Sequence, residues 1–403
     1  MQKTVAIVGT LDTKGAEYRF LKDQIEANNV STLVIDTGIV GEPAFNPDVP
    51  ASEVAKAGGI ELNELLKERD RGHSVAVMSE GAAVIVKDLY DKGKLQGVIS
   101  MGGSAGTTIG TSAMRALPIG VPKLMLSTIA SGDTRPYVDV KDVTMMNSVV
   151  DISGINRLSR RILTNAAAAI AGMVKVEVVA EAQDRPLIAA TMFGVTTPCV
   201  TKAREILESA GYEVLVFHAT GIGGRAMEDL VRGGFIKGVL DITTHELADE
   251  LVGGVCRSGP SRLETAGELG IPQVIVPGAL DMVNFWAHET MPDKFKGRKF
   301  YKHNPSVTLM RSTREENEEL GKIMAEKLNR AKGPTTVVIP RKGVSAIDKE
   351  GQPFYDPEAD ARFVETLKSN LSDRVSLIEM DNHINDEQFA SSIANVLLEN
   401  LKK

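Results

Sequence analysis

The sequence predicts an α/β protein: two doubly wound, Rossmann-like domains with mainly parallel sheets. Short apolar runs alternate along the whole chain with longer stretches of helical spacing, the order that builds parallel strands joined by helices. The early runs are apolar on both faces, as strands covered by helices on each side must be. The runs also end in glycine, hydroxyl and charged residues, which marks strand-to-helix turns, the place where open α/β sheets bind ligands. The clearest such turn is Val98-Ile99-Ser100-Met101-Gly102-Gly103-Ser104-Ala105-Gly106-Thr107-Thr108. Its glycines let the backbone turn tightly and approach a ligand, and the free amides of the following helix suit an anion.

In chain order, Thr4 to Val8 is the first strand, and Gly9-Thr10-Leu11-Asp12-Thr13-Lys14-Gly15 repeats the same device with an acid and a cation. Two such turns on one sheet would form a phosphate pocket. Thr13 to Asn28 keeps helical spacing, and Ser31 to Asp36 is the second strand. Asp36 stands where dinucleotide-binding folds place a carboxylate against ribose hydroxyls, although an acid ending a strand before Gly38 also serves a plain turn. The prolines at 43, 47 and 50 make residues 41–50 a surface loop, followed by a helical region to about Tyr90. Gly97 to Met101 and Lys123 to Leu126 are the next strands, and Ser127 to Thr134 is a third hydroxyl-rich strand end. In a parallel sheet all these ends share one edge.

Asp151 to about Val174 is a helix rich in alanine, and Glu181-Ala182-Gln183-Asp184-Arg185-Pro186 breaks it. The expected division is a nucleotide-binding domain at 1–182 and a second α/β domain at 183–403. Strands are expected at Leu187 to Thr191, Gly211 to Phe217, Lys237 to Asp241, Pro272 to Val276, Thr335 to Ile339 and Val375 to Glu379. Thr313-Arg314-Glu315-Glu316 fits a capping box opening a helix to about Ala331. A closed barrel is the architectural alternative for this half.

With 403 residues and 43% hydrophobic content the chain can fill ordinary cores. A net charge of −7 and 4% aromatic residues argue against a nucleic-acid binder. No apolar stretch approaches the roughly 20 residues a membrane span needs, so a soluble, cytoplasmic protein without a membrane partner is expected. Cys199 and Cys256 are neither a disulfide framework nor a zinc set. There is no Gly-x-x-x-x-Gly-Lys-Ser/Thr loop, and Gly-x-Gly-x-x-Gly is absent from the first turn. The residue-level candidates for binding phosphate are therefore Gly9, Thr10, Leu11, Asp12, Thr13 and Lys14, with Gly102, Gly103, Ser104, Ala105, Gly106, Thr107 and Thr108. Lys14 would neutralise phosphate, and Asp12 would hold magnesium directly or through water; a helix cap and a solvated lysine are the plainer roles for them.

Gly9-Thr10-Leu11-Asp12-Thr13-Lys14, Gly102-Gly103-Ser104-Ala105-Gly106-Thr107, Pro277-Gly278-Ala279-Leu280-Asp281-Met282-Val283-Asn284-Phe285 and the segment Gly343 to Asp356 carry a further signal. Together they resemble the ATP-binding family named for the tomato mosaic virus resistance protein, over essentially the whole chain. Its other members are mostly bacterial and fungal proteins of unknown function. The resemblance implies ATP in the N-terminal half and self-association, as a homodimer or larger homo-oligomer. The family's pattern is Gly-Gly-Ser-Gly-Gly-Thr, so Ala105 departs at one glycine, which matters only if that position needs a positive φ.

In the second half His218, His245, His288 and His383 fall near the inferred loops, with Asp241, Glu246, Asp281 and Glu289 close in sequence. They lack metal-site spacing, and Ser345 lacks a nucleophile elbow. Three functions remain open on sequence. The first is an ATP-binding protein whose second domain binds or transforms a small acidic metabolite in a cleft between the domains, with Arg311, Arg341 and Lys342 as partners for its charge. The second is an ATP-regulated oligomeric interaction module without catalysis. The third is a metal-dependent lyase or hydrolase of a sugar acid.

Overall fold

A computed structural model describes residues 2–177 and 184–403. The chain divides into two compact units, Met1–Ala180 and Glu181–Lys403. The helix-breaking segment from Glu181 to Gln183 lies outside the described residues.

The first unit runs β1 (Thr4–Gly9), α1 (Leu11–Ala27), β2 (Ser31–Asp36), α2 (Ala51–Ala57), α3 (Leu62–Glu68), α4 (Arg71–Asp91), β3 (Gly97–Gly102), α5 (Ser104–Arg115), β4 (Lys123–Ser127), α6 (Arg135–Val138), β5 (Thr144–Asn147) and α7 (Arg157–Met173). Its five-stranded sheet has the order β2-β1-β3-β4-β5, all parallel. Alternation along β1 builds the two faces. Val5 and Ile7 join the core under α1 and α7, while Ala6 and Val8 join the core under α2, α4 and α5. The helical region to Tyr90 is three helices rather than one, because Gly58–Ile60 ends α2 and Arg69 ends α3 in the left-handed region at φ 55°.

The second unit runs β6 (Leu187–Met192), α8 (Thr197–Ser209), β7 (Glu213–His218), α9 (Ile222–Arg232), β8 (Ile236–Thr243), α10 (Glu246–Val252), α11 (Thr265–Glu268), β9 (Gln273–Gly278), β10 (Met282–Phe285), β11 (Phe300–Asn304), β12 (Val307–Arg311), α12 (Arg314–Leu328), β13 (Thr335–Pro340), α13 (Pro357–Asn370), β14 (Ser376–Met380) and α14 (Glu387–Asn400). A six-stranded parallel sheet has the order β14-β13-β9-β8-β6-β7. The sheet is open, with β14 and β7 at its edges, so the barrel alternative does not form. A separate three-stranded antiparallel sheet, β10-β12-β11, was not expected from the sequence. The capping box is present: the Thr313 hydroxyl accepts from the Glu316 amide and the Glu316 carboxylate from the Thr313 amide.

Both orders place a topological switch where consecutive strands leave in opposite directions from the first strand. In the first unit this lies between β1 and β3, and in the second between β6 and β8. In open α/β sheets the crevice outside the strand ends at that point is where ligands bind.

Candidate functional site

The β1/β3 switch point of the first unit opens into a cleft of about 860 Å3, within the range of small-molecule sites. Thr10, Asp12, Thr13 and Lys14 line one side, and Gly102 to Gly106 line the next. Tyr18 joins the two turns. Its hydroxyl lies 2.6 Å from the Met101 carbonyl and 3.1 Å from the Val8 carbonyl, and it accepts from the Met101 amide at 3.2 Å. A Cβ at Gly9 would sit 1.9 Å from the Tyr18 ring, so glycine there makes room for the tie. The second turn is equally tight, since a Cβ at Gly102 would meet the Gly106 Cα at 2.8 Å.

Gly103 stands before α5 and no side chain caps that helix. The first amides of α5, which have no intrahelical acceptor, therefore face the cleft with the positive end of the helix dipole. Ala105 lies within α5 and is not among the residues with positive φ, so the departure from glycine costs no backbone strain. Thr107 is buried, bonded to the Gly103 carbonyl at 2.7 Å and to the Ser127 hydroxyl at 2.7 Å, and Thr108 bonds the Ser104 carbonyl. Neither lines the cleft; they stiffen the helix start behind it.

Asp36 is not among the residues that line the cleft. Its Oδ1 accepts from the Leu11 amide at 3.0 Å and the Gly38 amide at 2.9 Å. Burial raises its pKa while those amides pull it down. These two bonds are the plain turn role for this residue. Leu11 is likewise buried, with its amide committed to Asp36. The carboxylate of Asp12 accepts from the amides of Thr13, Val40 and Gly41, fastening the loop after β2 to the cleft edge. Lys14 leaves helical geometry at φ −132° and donates to the Ile152 carbonyl, which brings its ammonium to the cleft wall.

Several lining residues were missed by sequence reasoning. Arg69 and Arg71 are exposed at the rim on either side of Asp70, which caps α4 through the Gly72 and His73 amides. Leu65, Val75, Met78 and Ile109 form an apolar wall. Thr37 is buried against the cleft, and among the described residues its hydroxyl has no hydrogen-bond partner. An orphaned buried hydroxyl facing a cavity is the kind of group a ligand satisfies. No local pattern marks these residues: Arg69-Asp70-Arg71 reads as a solvated charge run.

In the second unit the expected acid-binding cations are already paired. Arg311 is buried against Asp360 at 2.6 Å and the Phe354 carbonyl at 2.7 Å, Arg341 lies 3.3 Å from Glu379, and Lys342 bonds Asp381 at 2.9 Å. Burial and the surrounding acids raise the carboxyls of Asp281, to about 7, and of Asp348 and Asp360. Asp241 and Glu246 clamp Arg262, at 2.8 and 2.7 Å. His383 bonds the Ser345 carbonyl at 2.8 Å, and His288 packs edge-on against Phe300. Among the described residues no group of three or more His, Cys, Asp or Glu could hold a metal ion.

Fold and site define a class: a two-unit, mainly parallel α/β protein with a cleft lined by two glycine turns at the switch point of its first sheet. The chain belongs to the uncharacterised protein family UPF0261, whose N-terminal domain matches residues 3–179 and whose C-terminal domain matches residues 185–401. A UPF0261 protein of Clostridium tetani is 57% identical over 100% of both chains. One of Rhizobium meliloti is 47% identical over 97% of both. The ToMV resistance protein Tm-1 of Solanum lycopersicum is 43% identical over 98% of this chain, which spans 55% of that longer protein. Among solved structures, a UDP-N-acetylglucosamine 2-epimerase from Rickettsia bellii aligns over 100% of this chain and 98% of its own, at 9% identity and a TM-score of 0.25. No helix among the described residues is long and apolar enough to cross a membrane.

Proposed function

We propose that the first unit binds ATP in the β1/β3 cleft, with the triphosphate against the amides at the start of α5 and the Gly9–Lys14 turn. The observation that carries this reading is the sharing of one cleft by two glycine turns, one of them opening an uncapped helix. Anions gain from both the free amides and the dipole there. Lys14, Arg69 and Arg71 supply charge for the outer phosphates. The apolar wall of Leu65, Val75, Met78 and Ile109 suits the flat face of a purine, and the Thr37 hydroxyl offers a ribose or base contact.

Magnesium enters with the nucleotide in this reading. Asp12 spends its carboxylate on three backbone amides, so it meets the ion through water while the phosphates supply direct ligands. Isothermal titration of the full chain with ATP, with and without magnesium, tests the proposal. Saturable binding that weakens in Lys14→Ala and Arg71→Ala is expected, and the absence of heat under both conditions defeats it. Measuring ADP release in the same samples separates a nucleotide-consuming enzyme from a protein that uses ATP as a regulator.

A further inference from the structure

The second sheet has its own switch point, between β6 and β8, and an unusual histidine occupies it. His245 lies between β8 and α10 and is 0% exposed. Among the described residues neither of its ring nitrogens has a hydrogen-bond partner. A neutral imidazole carries one N–H and one lone pair, and leaving both unmet in the interior is unfavourable at each atom. Burial, Arg262 and His218 all oppose its protonation, holding its pKa down near 3. A leucine or phenylalanine would fill this space without that cost.

The Phe193 side chain packs against His245. The Phe193 ring lies 4.4 Å from the His245 ring, tilted by 42°, and meets His218 edge-on at 5.4 Å. Phe193 is half-buried and His218 exposed, so the three rings run from solvent to the interior. The backbone of Phe193 is pinned, because its amide donates to the Thr196 hydroxyl and its carbonyl accepts from the Thr196 amide. Beside it, a Cβ at Gly194 would have nothing within 4 Å. Rotation of the ring about its own side-chain bonds is therefore the least disruptive way to expose His245.

The surrounding charges narrow the ligand. Arg262, the cation facing His245, is saturated by Asp241 and Glu246, with Glu228 at 3.6 Å. The hydroxyls of Thr191, Thr196 and Thr243 are likewise engaged, with Asp241 and with each other. An anion would find no free countercharge at Arg262. A neutral hydroxyl would find a donor at one nitrogen of the imidazole or an acceptor at the other, without needing a countercharge.

We propose that the β6/β8 switch point is a second binding site, for a small neutral polyhydroxyl ligand, with Phe193 as its movable cover and His245 as its hydrogen-bonding anchor. This site does not depend on the nucleotide reading of the first unit. The test follows the His245 Cε1–H resonance of the full chain during titration with a panel of alditols and aldoses, and with inorganic phosphate as a charged control. At least one polyol is expected to shift that resonance saturably while phosphate leaves it in place. Phe193→Ala is expected to tighten binding about tenfold by removing the closed state. Read by isothermal titration calorimetry with the polyol that shifts the wild-type resonance, His245→Leu should abolish binding, and His245→Gln, which keeps a donor and an acceptor, should retain part of it. If His245→Leu fails to fold, the Phe193→Ala and His245→Gln pair still decides the matter. A resonance that no polyol moves in either the wild type or Phe193→Ala overturns the proposal, as does a response to phosphate equal to that of the polyols.

Discussion

Tyr18 shows how one residue organises a site that it does not line. Its hydroxyl is shared among the Val8 and Met101 carbonyls and the Met101 amide, so both strand ends at the cleft hang on it. Burial raises the phenol to about 12, against the pull of the Met101 bond, and keeps it a neutral donor. Tyr18→Phe should lower stability by about 1–3 kcal/mol, the cost of orphaning buried partners, read by urea unfolding. ATP affinity should fall with it while Lys14→Ala lowers affinity without the loss of stability. Arg262 predicts a larger effect. It is buried with Asp241 and Glu246 as its partners, so Arg262→Ala strands two buried carboxylates and should cost about 3–5 kcal/mol in the same assay. Neither role was legible in the sequence. Tyr18 reads as an ordinary apolar position of a helix, whereas Asp36, read either against a ribose or as a plain turn acid, uses its Oδ1 to hold the Leu11 amide after β1 and the Gly38 amide after β2.

At the scale of elements, what could be read was what a period enforces. A parallel strand buried on both faces must be largely apolar, and β1, β3, β4, β6, β9 and β13 announce themselves that way. The antiparallel sheet does not, because Tyr301, Lys302, His303 and Asn304 on β11 are partly or fully exposed and mimic a loop. The cleft was legible at its two turns, where Thr10, Asp12, Thr13 and Lys14 and the Gly102–Gly106 run line it; its rim came from Arg69 and Arg71, which nothing local distinguishes from solvated charge. The glycine turn itself yields a paired prediction. Gly102→Ala places a Cβ 2.8 Å from the Gly106 Cα and should cost about 1–3 kcal/mol, with loss of nucleotide binding. Ala105→Gly restores the family pattern but loosens a helical position that carries no positive φ. It should lower the melting temperature slightly, by about 0.5–1 kcal/mol of stability, and leave ATP affinity unchanged in titration calorimetry.

For the whole molecule, the buried acids around Arg311 set a direction for stability against pH. Burial raises Asp281 to about 7, with Asp360 adding to it and Arg311 and the Ser345 hydroxyl, at 2.8 Å, opposing it. Asp348 and Asp360 are raised for the same reason, first by burial and then by neighbouring carboxyls. In the unfolded chain an aspartate titrates near about 4. Between about pH 4 and 7 the folded state thus holds a proton at Asp281 that the unfolded state has released. Stability from this group is fully present below the unfolded pKa and is lost as pH rises through the folded one, at up to about 1.4 kcal/mol per pH unit. His245 works the other way, because its pKa is depressed to about 3: the folded state loses stability as pH falls below about 6.5. The two contributions separate by substitution. Asp281→Asn keeps an acceptor for Ser345 but removes the titration, so its melting temperature relative to wild type should climb steadily from pH 4 to pH 7 and level off above. A wild-type-minus-variant difference that stays flat across that window would show that Asp281 is ionised throughout, with Arg311 and not a proton balancing its buried charge.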